Sequence, residues 1–327
     1  MNPIAIELNN QLEGTAVLRL LSDFGKRIYF PRGIVAQAAE AAARAKRFDA
    51  TIGMAVENRE PMVLPCIRDQ VPGLSSREML AYSPTGGTQN IREGWKAQML
   101  IKNPDLTADC FSLPMVIPGL TNGIFHAAEL FIEKGDAVII PDMYWDNYEL
   151  IVNVRRQAEI HNFAFFDDSG HLNLRGFDQL IQGLCPPGGR KKIVVLLNFP
   201  NNPTGYSPTK QEALELSAIL TRHAEAGIDI LAICDDAYFG LFYESDTYTQ
   251  SMFTPLAQAH ERIVAIKIDG STKEDFVWGF RLGFLSFGGK GLDADHFQIL
   301  QAKLTGSIRA CVSSSSSIGQ NILRPLN

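Results

Sequence analysis

Five short apolar runs most constrain what this chain can become: DAVIIP (136–141), KIVVLLNF (192–199), IDILAIC (228–234), RIVAIKI (262–268) and LGFLSF (282–287). They are rich in Val, Ile and Leu and mostly apolar on both sides of a two-residue period, as strands are when a sheet is covered on both faces. Between and ahead of them lie helical patterns. IREGWKAQMLIK (91–102), NGIFHAAELFIEK (122–134) and TKQEALELSAILTRHAEAG (209–227) read as helices, the last with Ser207-Pro208 before it and Gly227 at its end. The alternation predicts an α/β fold: a three-layer sandwich around a mostly parallel central sheet. Residues 15–50, with the Ala-rich AQAAEAAARAKR (36–47), read as a helical appendage, and SSSSS (313–317) as a solvated tail.

Composition removes several function classes. Lys and Arg total 30 against 36 acidic residues, with no basic block, which argues against a nucleic-acid partner. No apolar run approaches the ~20 residues of a spanning helix. Glu7 and Glu13 interrupt the N-terminus where a signal peptide would be basic and then apolar. Cys66, Cys110, Cys185, Cys234 and Cys311 are odd in number and scattered, without metal or redox spacing, so a cytoplasmic, reducing compartment is expected. No G-x-G-x-x-G follows an early strand, which sets a dinucleotide fold aside.

Chemistry-bearing residues cluster just past the strands. NFPNNPTG (198–205) follows the run 192–197, DDAYFG (235–240) follows 228–234, and GSTKEDFVWGFRLGF (270–284) follows 262–268. In open α/β sheets ligands bind at the carboxyl ends of strands, so Asn, then Asp and Tyr, then Lys and Arg at three such ends point to one site. An acid backed by a buried strand can hold a cationic ring nitrogen away from water. At Pro118-Gly119-Leu120-Thr121, a glycine turn opening a helix offers free N–H groups to an anion, although Thr121 or Asn122 also reads as an ordinary N-cap.

With NNPTG, DDAY, and Lys273 followed eight residues later by Arg281 with Gly279 between, the chain resembles the fold-type-I pyridoxal-phosphate enzymes, specifically class I/II aminotransferases of the aspartate aminotransferase type. The resemblance covers residues 50–320. It implies pyridoxal 5'-phosphate as cofactor, an amino acid and a 2-oxo acid as substrates, and a homodimer. Lys273 looks like the Schiff-base lysine, and Asp235, three residues before Tyr238, like the acid on the pyridine nitrogen, leaving Asp236 structural. Tyr238 and Asn202 resemble the pair that bonds the phenolic oxygen, and Trp145 in PDMYWDNY the aromatic that stacks on the ring. Gly119, Leu120, Thr121 and Arg281 resemble the phosphate site, with a hydroxyl from Ser271 or Thr272; at Leu120 relatives often carry a hydroxyl, so only backbone contact is expected there. Tyr82 in AYSPTGG resembles the tyrosine that reaches the partner subunit's phosphate.

The resemblance also sets expectations for organisation. Residues 1–50 are expected to be the N-terminal helical segment of a small domain, 51–308 the cofactor-binding large domain, and 309–327 the start of a truncated C-terminal segment. Family members continue past the point matching Asn327, into the segment carrying the arginine that holds the substrate carboxylate. Arg324 is not assigned that role, and Arg309 lies near a side-chain arginine of dicarboxylate-specific relatives as well as reading as a solvated residue. A lyase on the same scaffold and a non-catalytic cofactor-binding fragment are the competing readings. His126, His161, His171, His223, His260 and His296 show no clustered spacing and read as structural or surface residues.

Overall fold

A computed structural model describes residues 1–13, 15, 18–19, 21–29, 40–41, 44–46, 51, 55–57, 60–70, 73–189 and 191–323. The Ala-rich stretch 36–47 lies mostly outside the described residues, and Arg324 lies wholly outside them. Two short strands, β1 (Val56–Glu57) and β2 (Glu60–Pro61), form an antiparallel pair. The main sheet holds β3 (Met115–Ile117), β4 (Ala137–Pro141), β5 (Glu159–Phe163), β6 (Lys192–Leu197), β7 (Asp229–Asp235), β8 (Ile263–Asp269) and β9 (Gly283–Gly289), in the order β3-β9-β8-β7-β6-β4-β5. All five predicted runs are strands, and no described helix is long and apolar enough to cross a membrane.

Both faces of the sheet are covered, which is why its strands carry no polar alternation. On one face Val195, Ala232, Ala265 and Phe284 pack with the helices Gln89–Lys102, Leu174–Leu184, Lys210–Glu225 and Phe253–Ala259. On the other, Val194, Ile233, Ile266 and Leu285 pack with Leu120–Phe131, Ala294–Cys311 and the π-helix Glu149–Arg155. Helix starts follow local chemistry: Thr209 and Glu212 form a reciprocal capping box at Lys210–Glu225.

Strand direction assembles the site. The register sets Leu197 opposite Cys234 and Cys234 opposite Lys267, so the carboxyl ends of β6, β7 and β8 lie side by side. β9 runs antiparallel to β8, which returns its start, with Arg281 just before it, to the end where β8 exits. β3, antiparallel to β9, ends at that edge too, with Gly119 two residues beyond.

Two elements depart from the sequence reading. β3 (MVI) is apolar and buried but only three residues long, and β5 (EIHNF) is a partly exposed edge strand without the apolar signature of its neighbours. The serine run is not a solvated tail: Ser315 is buried and Ser317 opens the helix Ser317–Leu323. Asn321 Nδ2 donates to the Glu78 carbonyl at 3.1 Å, and Gln320 Oε1 accepts from the Thr88 N–H at 2.9 Å. Tertiary contacts of the helix that follows, invisible in a low-complexity run, hold it against the fold, with Ser315 buried.

Candidate active site

Asp235 closes β7 and is buried. Its Oδ2 accepts a hydrogen bond from the Tyr148 hydroxyl at 2.5 Å, and its carbonyl oxygen accepts from Asn198 Nδ2 at 2.7 Å. Tyr148 is itself fully buried, and burial next to a carboxylate holds its pKa well above the ordinary value, so it remains a donor. Oδ1 of Asp235 is different: it is buried and has no partner among the described residues. Burial pushes the Asp235 pKa up to about 6, against the downward pull of the Tyr148 hydrogen bond and the Lys273 charge. A buried carboxylate with one open oxygen is a receptor for a cationic N–H group.

Lys273 lies in the turn Ser271–Glu274, directly after β8. Its Nζ sits 4.9 Å from the centroid of the Tyr238 ring. Burial lowers its pKa, Asp235 pulls it up, and the Arg281 charge lowers it again. A lysine with reduced proton affinity is the form that attacks carbonyl carbon. The Tyr238 pKa is raised by burial and by the Asp235 charge, which keeps its hydroxyl protonated.

The opposite end of the site suits an anion. Gly119 has φ +89° and caps Leu120–Phe131 without a side-chain hydrogen bond. The Leu120 side chain turns into the core, so at this position only the backbone is presented, at the opening of a helix whose Asn122 and Gly123 N–H groups donate to the Gly119 carbonyl. The Arg281 guanidinium lies over this turn: a Cβ at Gly119 would stand 2.4 Å from Nη2. Arg281 holds φ 50°, ψ 51°, a left-handed conformation that costs a non-glycine residue about 1–3 kcal/mol. Ser271 and Thr272 are buried beside Lys273, with Thr272 Oγ1 donating to the Leu282 carbonyl at 3.4 Å.

Trp145 follows β4 and meets Tyr148 edge-on, centroids 5.4 Å apart at 82°. Asn202 joins the cluster through its backbone, its N–H donating to Asn198 Oδ1 at 2.7 Å. Asp235, Tyr238, Lys273, Arg281, the Gly119–Thr121 turn, Ser271, Thr272, Trp145 and Asn202 therefore converge on one sheet edge. Tyr82 does not: it is 93% exposed. Arg309 is exposed as well, its Nη1 donating to Ser313 Oγ at 2.6 Å. His126 is a buried imidazole, Nδ1 2.7 Å from Ser307 Oγ, with its pKa pushed down to about 4 by burial, which fits its structural reading.

Three participants were given no role of their own by the sequence reading. Tyr148, three residues after Trp145, and Asn198, first residue past β6, both hold Asp235; their nearness to strand ends was the available signal. The third is Lys267, a charged residue inside the apolar run RIVAIKI, which pairs with Asp236 behind the site.

Fold and site together define an α/β protein with a buried, half-open carboxylate and a glycine turn under an arginine set along the carboxyl edge of a mostly parallel sheet. The chain belongs to the aminotransferase class I and II family, whose model matches residues 49–322. It is 26% identical over 208 residues to the probable N-acetyl-LL-diaminopimelate aminotransferase of Bacillus subtilis, a match covering 63% of this chain and 47% of that protein. The tyrosine aminotransferase of Dictyostelium discoideum is 22% identical over 259 residues, covering 78% and 56%. A crystal structure of an aminotransferase from Anaerococcus prevotii shares the fold, with TM-score 0.81 at 24% identity over 92% of this chain and 75% of that one. The chain spans about half the length of the curated relatives it matches.

Pyridoxal 5'-phosphate is the cofactor of this family, and the residues present fit it. The open Oδ1 of Asp235 suits a protonated pyridine nitrogen, and the bare Gly119 turn under Arg281 suits a phosphate.

Proposed function

We propose that this chain works as a pyridoxal-phosphate-dependent transaminase, passing an amino group from an L-amino acid to a 2-oxo acid. The observation that carries the reading is the single unpartnered oxygen of buried Asp235, on the edge that also presents Lys273 and the Arg281–Gly119 cradle. Bound there, the cofactor supplies an aldehyde carbon and an electron-withdrawing ring.

The chain's own groups divide the work. Asp235 would keep the ring nitrogen protonated, and Tyr148 and Asn198 hold Asp235 in place for that role. Tyr238 and Asn202 would hold the phenolic oxygen. Trp145 would cover the ring and exclude water from it. The N–H groups of the Gly119-Leu120-Thr121 turn, Arg281, and the hydroxyl of Ser271 or Thr272 hold the phosphate. Lys273, its proton affinity lowered by burial, would hold the cofactor through its carbonyl carbon with loss of water and, once a donor amine displaced it, would be the free amine placed to carry the donor's α-proton.

The exposed Tyr82 suits a homodimer in which the partner's Tyr82 reaches the phosphate of this site. Residues 51–308 form the cofactor-binding domain in this reading, with 1–50 belonging to a small domain. The five free cysteines suit a reducing cytoplasm.

An absorbance titration of the cofactor-loaded protein with a panel of amino acids tests the function. A donor should bleach the visible band and a 2-oxo acid should restore it, while Lys273→Ala should show no borohydride-fixed cofactor. Product formed without any acceptor would replace the reading with a lyase, and a band that no amino acid changes would replace it with a binding module. A fixed adduct on another lysine would overturn the role of Lys273.

A further inference from the structure

Directly behind the site lies a charge that the chemistry above does not use. Lys267, inside β8, is completely buried. Its ammonium pairs with Asp236 and stands 3.0 Å from Asp269 Oδ2, and it faces the Phe239 ring at 4.4 Å from the centroid. Both carboxylates are also anchored elsewhere: Asp236 accepts from Ser251 Oγ at 2.6 Å, and Asp269 Oδ1 from Trp95 Nε1 at 3.0 Å. Trp95 is fixed in turn by stacking on Phe284, centroids 4.1 Å apart. Burial lowers the Lys267 pKa, but the two carboxylates more than offset it and hold the ammonium charged.

The partners lie on two neighbouring strand ends, Asp236 just past β7 and Asp269 at the end of β8, the strand that carries Lys267 itself. Asp236 and Phe239 alternate with Asp235 and Tyr238 on the segment leaving β7, so one set faces the site while the other faces Lys267. β8 passes from Asp269 through Gly270 into the turn Ser271–Glu274 that holds Lys273. That same turn is tied from outside by Glu274, whose carboxylate pairs with Lys102 Nζ at 2.8 and 2.9 Å. A buried ion pair that hydrophobic residues could replace is weak support for stability, and its better-attested use is to fix geometry.

We propose that Lys267 is a positioning residue: held between Asp236 and Asp269, it ties the loop carrying Asp235 and Tyr238 to the turn carrying Lys273 and so sets the spacing of the groups that grip the cofactor. The consequence for the cofactor rests on the reading given under Proposed function; the tie between the loops does not.

Lys267→Met in the full chain tests both, against an Ile181→Ala control that loses stability in the remote helix Leu174–Leu184. In the cofactor-free protein, hydrogen exchange over 235–240 and 269–274 should accelerate together by at least fivefold in Lys267→Met and remain native in the control. With pyridoxal phosphate added, the dissociation constant should rise at least tenfold and the visible circular dichroism of the cofactor band should fall by half or more, again only in Lys267→Met. Should that variant fail to fold, Lys267→Met/Asp236→Asn/Asp269→Asn removes the ties without stranding a charge, and the same two segments should loosen. Native exchange in both segments overturns the tie. Loosened loops with unchanged cofactor affinity and dichroism overturn the positioning role. A wild-type chain that takes up no cofactor refutes the functional reading, while the exchange result still decides the tie.

Discussion

Replacing Asp235 with Asn keeps the shape of the side chain and an oxygen for Tyr148 but removes the charge. In the unfolded chain an aspartate titrates near its ordinary value of 3.8; in the folded, cofactor-free protein burial moves Asp235 to about 6. The folded pKa lies above the unfolded one, so the native state binds the extra proton between them. Stability from this group is therefore fully present below the unfolded value and is lost as pH rises through about 6. At about 1.4 kcal/mol per pH unit the full loss is about 3 kcal/mol, of which about 2–3 kcal/mol falls between pH 4 and pH 8. The neutral amide of Asp235→Asn carries no such dependence. Urea unfolding of the cofactor-free proteins should then show the variant gaining about 2–3 kcal/mol on the wild type over that interval, since the titrations not coupled to Asp235 are common to both and cancel. Saturating pyridoxal phosphate should stabilise the wild type more than the variant, because only a carboxylate gives the ring nitrogen a charged partner. A stability difference that stays flat from pH 4 to pH 8 would refute the premise that Asp235 is held as a desolvated, half-satisfied acid.

Other consequences are equally direct. Gly119→Ala places a methyl group against the Arg281 guanidinium at a positive-φ position, and should weaken both pyridoxal phosphate and inorganic phosphate at least tenfold by equilibrium dialysis while the protein stays folded. The adjacent acids should separate: Asp236→Ala, by stripping buried Lys267 of a partner, costs about 3–5 kcal/mol in denaturant unfolding, whereas Asp235→Ala mainly costs turnover. Equal losses of turnover would mean that the wrong acid was assigned to the ring nitrogen. Mixing Tyr82→Phe and Lys273→Ala subunits should concentrate both defects in one site of the dimer and exceed both parents in activity; sedimentation as a monomer, or no gain on mixing, removes Tyr82 from the site.

The sheet was legible in the sequence because burial on both faces leaves β4 and β6–β9 almost without polar residues, a pattern few other structures produce. The site residues were legible for a related reason. Polar groups placed just past such strands have few structural duties, so Asn202, Asp235, Lys273 and Arg281 stood out against the apolar runs before them. What the sequence could not carry were pairings between segments far apart in the chain. Tyr148 meets Asp235 across 87 residues, Trp95 meets Asp269 across 174, and Gln320 reaches the Thr88 amide across 232. Local pattern likewise distinguished Asp235 from Asp236 only by spacing to Tyr238. The folded chain separates them physically: strand alternation turns one carboxylate toward the site with an oxygen left open and the other onto Lys267. Periodicity and turn chemistry are properties of neighbours in sequence, so the sequence alone determined the layers and the strand ends. Burial and charge pairing are properties of neighbours in space, and only the tertiary structure decided which oxygen was left open and which lysine was sealed in.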